Sequence, residues 1–215
     1  MLITPEQLRI HLNPLPTGVQ HLQQAATLNS QLRLVIRQIQ LGLSVTPLLA
    51  ANPPLAKLVQ QLQTALPNLA DRQFSRRKIW LHYPMTAILT HHPPTPFQAN
   101  VNLGWKQHKP LLFEWGLRTL KLTWIDRLKL WATAEHLRVS PTDCRLVVIK
   151  LGESPGRQLY RWDAQAHEHI KQWTCTLLHN ASGPPPAPKP LKHNNDGDWL
   201  QEILKNIDRV PEVTL

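Results

Sequence analysis

Residues 79–105 read IWLHYPMTAILTHHPPTPFQANVNLGW, strand-like runs broken by prolines. Ile79 to His82, Met85 to Thr90 and Ala99 to Trp105 are short runs containing β-branched or aromatic residues. Pro84 and the loop His91-His92-Pro93-Pro94-Thr95-Pro96 separate them. Runs of this kind bounded by proline read as strands, and their succession predicts a three-stranded antiparallel meander.

On either side of this stretch the period changes to that of helices. Thr4-Pro5-Glu6 is a cap followed by proline at the first helical position, and Asn13-Pro14 ends the short helix it opens. From Val19 to Leu41 the residues Leu22, Ala25, Ala26, Leu32, Val35, Ile36 and Ile39 form one apolar stripe, with Gly42 as the stop. Leu55, Leu58, Val59, Leu62 and Leu66 line another helix between Pro54 and Pro67. Beyond the meander, Leu117, Leu120, Trp124, Leu128 and Trp131 step by three and four, the buried stripe of a helix. Arg145 to Leu151 (RLVVIKL) predicts a strand covered on both faces, because Leu146 to Ile149 is unbroken apolar sequence. A weaker strand at Gln158–Arg161 and a helix over Ala164–Leu178 follow. The order αβββαβ, with extra helices at the ends, predicts an α/β domain over residues 1–182 with a small mixed sheet. Residues 183–196, opening GPPPAPKP, read as a stiff proline-rich linker. Residues 197–215 read as a tail with an amphipathic turn or two at Trp199–Ile207.

The 215 residues carry 24 Lys and Arg against 14 Asp and Glu. The surplus lies in the body, since residues 1–182 hold 20 basic side chains against 9 acidic ones. That is the electrostatic footprint of a polyanion-binding protein, and equally that of a solvated basic surface. Two cysteines, Cys144 and Cys175, are too few and too far apart for a disulfide framework or a CxxC metal site. MLITPEQLRIHL lacks the apolar core of a signal peptide, and no apolar run approaches a membrane span, so a cytoplasmic protein without membrane partners is expected.

Several segments together, in this order, resemble the PD-(D/E)XK nuclease superfamily, and within it the small single-domain bacterial proteins of RecB type. They are LNSQLRLVIRQIQLGL (28–43), PLLAANPPLAKLVQQLQTALP (47–67), LGWKQHKP (103–110), LTWIDRLKLWATAEHL (122–137) and VPEVTL (210–215). The resemblance implies a restriction-endonuclease-like αβββαβ core. It also implies acids on the second and third strands that hold Mg²⁺ or Mn²⁺, and a lysine two residues after the last acid. Members of the RecB type often add a histidine on an early helix and a glutamine on the helix after the strands.

On that resemblance the histidine falls at Arg33, the second-strand acid at Thr90, the acid of the D-x-K element at Gly104, and the glutamine at Ile125. Only the lysine, Lys106, is kept. The Cys-Pro element of some relatives is echoed by Asn13-Pro14, which excludes their iron–sulfur cluster. From Arg72 to Phe113 there is no Asp or Glu over 42 residues. The resemblance therefore implies a nuclease-like protein that is catalytically inactive, has no cofactor, and binds DNA or a DNA repair or recombination partner. Arg33, Arg76, Arg77, Lys78, Lys106 and Lys109 are the candidate phosphate contacts, and Trp105 is the candidate for stacking on a base.

The alternative is a working nuclease with relocated carboxylates and a bound Mg²⁺ or Mn²⁺. Glu114, Asp126 and Glu135 follow the predicted strands, and Asp126 adjoins the stripe of Leu120, Trp124 and Leu128. Its neighbours Arg127 and Lys129 offer a solvent ion pair instead. A different register sets Val148 and Lys150 in the D-x-K place, again without the acid. His82, His91, His92 and His108 cluster in the strand region, but no fixed spacing marks a metal site and the loop reading serves them as well. The eight tryptophans fall mostly at core positions. No Gly-rich phosphate loop or nucleophile motif is present. A third reading is a protein-interaction scaffold that uses the proline-rich tail.

Overall fold

Leu146, Val147, Val148 and Ile149 are all buried and divide by parity: Leu146 and Val148 enter one apolar cluster, Val147 and Ile149 another. An unbroken apolar strand is stable only when both of its faces are covered. The computed structural model, which describes residues 2–12, 20–70, 79–89 and 94–181, supplies both covers.

The helices are α1 (Pro5–Leu12), α2 (Gln20–Gln40), α3 (Thr46–Ala51), α4 (Pro53–Ala65), α5 (Trp124–Leu137) and α6 (Ala164–Ala181). The strands are β1 (Trp80–Leu89), β2 (Thr95–Lys106), β3 (Lys109–Gly116), β4 (Arg145–Lys150) and β5 (Gly156–Arg161). They form one five-stranded sheet in the order β1-β2-β3-β4-β5. Of these strand pairs only β3 and β4 are parallel, and α5 is the crossover between them. Trp131 of α5 and Ile170 of α6 pack on one face with Leu8 of α1. Leu32, Val35 and Ile36 of α2 meet Leu55 and Leu62 of α4 on the other. The chain is thus an α/β protein with a small mixed sheet between helices, and α2-β1-β2-β3-α5-β4 gives the αβββαβ order.

The first three strands differ from those the sequence predicts. Ile79–His82 and Met85–Thr90 do not make two strands: Trp80 to Leu89 is a single strand, β1, which runs through Pro84 opposite Asn100. Proline is tolerated there because β1 is the sheet edge, where one row of N–H groups has no strand to bond. The third strand is β3, Lys109–Gly116, in a stretch where the sequence pattern predicts none. It follows β2 through the two-residue turn Gln107-His108, both at positive φ (52° and 63°). Such a turn normally advertises itself as Asn-Gly or Asp-Gly, and this one does not. The stripe read from Leu117 is also shortened. Helix α5 begins at Trp124, where the Thr123 hydroxyl accepts from the Asp126 N–H and the Asp126 carboxylate accepts from the Thr123 N–H.

The described residues all belong to one unit, which ends at Ser182. Arg76, Arg77, Lys78, Thr90, His91, His92, the 183–196 linker and the 197–215 tail lie outside the described residues.

Candidate functional site

The β2–β3 ladder ends at the pair Asn102–Phe113, although β3 stays paired to β4 as far as Gly116. Nearer its start, β2 bonds the N-terminal segment instead: Ile3 donates to the Pro96 carbonyl, and its own carbonyl accepts from the Gln98 N–H. The strands therefore part, and a cavity of about 510 Å³ opens near the gap.

Glu114 of β3 lines this cavity, joined by Asn100 and Asn102 of β2, His82 of β1 and Arg33 of α2. Glu6 of α1, Arg118 of the β3–α5 loop, and Asp126 and Lys129 of α5 complete its polar wall. Glu114 thus stands on the third strand and not after the strands, where the sequence pattern sets it. Its carboxylate accepts from Lys129 Nζ at 2.5 Å, with side-chain exposures of 8% and 14%. Asp126 is buried, and its partner is neither Arg127 nor Lys129. Arg118 grips it with both terminal nitrogens, at 3.0 Å to Oδ1 and 2.5 Å to Oδ2. Oδ2 also accepts from the Thr123 N–H and Oγ1, both at 2.8 Å. Burial alone would lower the Arg118 pKa, but the hydrogen bond and charge of Asp126 more than reverse this and raise it.

A bulge delivers His82. Trp80 pairs with Leu103 and Tyr83 with Val101, so Leu81 and His82 together oppose the single residue Asn102. His82 adopts φ 51°, and its N–H donates to Asn102 Oδ1 at 3.3 Å. Partial burial first, then the positive charges of Arg33, Lys129 and Arg37, hold its imidazole below the ordinary value of 6.5, against an opposing pull from Glu114.

Two residues after Glu114 the chain has Gly116. Its φ is 152°, and a Cβ there would lie 2.7 Å from Asn29 Oδ1. That Asn29 oxygen is already the acceptor for the Leu117 N–H at 2.8 Å. No side chain fits at 116 without displacing this bond, and the ammonium that reaches Glu114 comes from α5 instead.

Of the residues singled out from sequence, Arg33, His82, Glu114, Ile125 and Asp126 line the cavity. Gly104, Trp105 and Lys106 are at the far end of β2, beside the turn into β3, and are not among its lining residues. Lys109 starts β3 and pairs with Asp143 at 2.6 Å. Sequence reasoning misses Glu114 and Lys129 as a pair. The one signal for them is the apolar run Leu111-Leu112-Phe113 just before Glu114, a strand hidden behind its unmarked turn. His82 and His108 are set apart, one at the bulge and one in the β2–β3 turn. Trp115, Trp131 and Trp162 are core residues, whereas Trp80 and Trp105 are exposed.

No family model and no curated protein matches the chain. Among solved structures it is similar to the crystal structure of SSO0001, with a TM-score of 0.39 and 7% sequence identity over 84% of this chain and 85% of that one.

Proposed function

We propose that the chain is a nuclease-like protein of the PD-(D/E)XK type that has lost metal-dependent hydrolysis and binds the phosphate backbone of nucleic acid. DNA is the expected ligand, and work beside DNA repair or recombination proteins the expected setting. One observation carries this reading: each buried carboxylate of the cavity is already held by its own cation, Glu114 by Lys129 and Asp126 by Arg118. Magnesium demands near-octahedral oxygen ligation at about 2.1 Å and gives up its waters reluctantly. To enter here it would have to displace an ammonium and a bidentate guanidinium. The neighbours Asn100 and Asn102 offer neutral amides rather than charge. This donor set does not fit the metal that the resemblance implies. Arg33, exposed at the cavity, and Lys106, exposed at the hairpin, are left to meet phosphates, in keeping with the basic surplus of residues 1–182.

A second reading, a working nuclease with relocated acids, has one observation in its favour: Glu114 and Asp126 line one cavity with Lys129 at hand. Fluorescence anisotropy of labelled DNA across a salt series, with and without Mg²⁺ or Mn²⁺, separates the two. Binding that weakens steeply with salt, with the DNA left intact, supports the first. Cleavage that Glu114→Gln abolishes establishes the second. No binding at low salt sinks both and leaves the interaction scaffold.

A further inference from the structure

Trp80 and Trp105 are 46% and 44% exposed, although tryptophan is among the costliest side chains to leave in water. Their positions are related. Trp80 is the register partner of Leu103 across β1 and β2, so it shares a sheet face with Leu103 and with Trp105 two residues further on. Diagonal neighbours of this kind have Cα atoms roughly 7–8 Å apart, within reach of two indoles. Tyr83 stands edge-on to Trp80 with ring centroids 6.3 Å apart, and Pro110 lies opposite Trp105, so both indoles have neighbours that restrict them.

The charge around the two rings selects the occupant. The hairpin Trp105-Lys106-Gln107-His108-Lys109 carries two lysines and no acid. Because residues 72–113 contain no Asp or Glu, neither β1 nor β2 brings a carboxylate to this end of the sheet. Among the described residues, Asp143 meets the hairpin, and Lys109 is bound to it. Lys106 leaves the opposite face of β2 from Trp105, but both stand at the hairpin end of the strand. Flat aromatic faces with a cation at the sheet's end match the two features of an unpaired strand, its exposed bases and its phosphates. A duplex hides its base faces and offers nothing to the indoles.

We propose that Trp80 and Trp105 form a base-stacking platform for single-stranded nucleic acid, with Lys106 as its phosphate contact. The proposal rests on the nucleic-acid reading above and names the form of ligand. The test compares the full chain's affinity for a fluorescent oligo-dT and for an abasic strand of the same length and charge, at low salt. The expected result is tighter binding of oligo-dT. Trp80→Ala and Trp105→Ala should each weaken that binding about five- to a hundredfold and leave the abasic strand unaffected. Trp105→Phe, which keeps an aromatic face, should recover part of the loss, and unchanged thermal melts would show that the variants fold. Equal affinity for the two strands, or equal losses on both, overturns the platform while leaving phosphate binding intact. Failure to bind either strand overturns the nucleic-acid reading itself, and the platform with it.

Discussion

Lys129 Nζ lies 2.5 Å from Glu114 Oε1, tying the crossover helix to the third strand at the point where the sheet opens. Both side chains are largely out of water, so removing one leaves the other's charge stranded. Glu114→Gln and Lys129→Met should each cost about 3 kcal/mol in urea unfolding. The double variant should be markedly more stable than the sum of the two losses, because neither charge is then left alone. Additive losses would mean that the contact contributes nothing beyond packing.

Asp126 has two structural duties, as the third-residue half of the α5 capping box, opposite the cap Thr123, and as partner of Arg118. Asp126→Ala should lose about 1 kcal/mol of capping and leave a guanidinium without its carboxylate, for about 3 kcal/mol in all. Arg118→Met keeps the cap and should cost less. Thermal melts followed by circular dichroism would rank the two. The reverse order would mean that the cap is minor and the guanidinium's other bonds, to the Thr119 and Lys121 carbonyls, matter more.

His82 gives the cavity a pH response. Its imidazole is held below 6.5 in the fold, so just below that pH the unfolded chain binds the proton more readily. Stability should then fall as the pH drops through 6.5, and this residue should have no effect above it. His82→Asn tolerates the positive φ and removes the titration, so its stability should decline less between neutral and acidic pH. Anisotropy across the same range should show the opposite sign for an anion in the cavity, which favours the protonated ring. Identical stability profiles for the two proteins would remove His82 from the account.

Much of the architecture is legible in the sequence because it depends on period and punctuation. Pro5, Gly42, Pro54 and Pro67 mark helix boundaries, and the unbroken run Leu146–Ile149 marks the central strand. The hairpin is illegible for a physical reason. Gln107 and His108 occupy left-handed positions that glycine or asparagine normally fills, so nothing in the sequence announces the turn. Missing β3 while dividing β1 at Pro84 keeps the strand count at three and hides the error. It also sets Glu114 beyond the predicted strands, whereas Glu114 stands on β3 and Gly104 and Lys106 stand at the hairpin end of β2. The Glu114–Lys129 pair spans 15 residues and two elements, and no local pattern encodes such a contact.

Gly116 explains why a lysine cannot simply be placed two residues after Glu114. Its φ of 152° is rare for residues with a side chain, and a Cβ would meet Asn29 Oδ1 at 2.7 Å. Gly116→Lys should therefore destabilise the fold by about 2 kcal/mol or more, from strain together with the displaced Asn29 bond. Adding Asn29→Ala removes the obstructing amide and with it the acceptor of the Leu117 N–H, so it should recover the steric part while leaving the backbone strain and the lost bond. If urea midpoints showed Gly116→Lys to be as stable as the parent, the glycine would be incidental. Its ammonium would then compete with Lys129 for Glu114, and Lys129→Met should cost less in that background than in the parent.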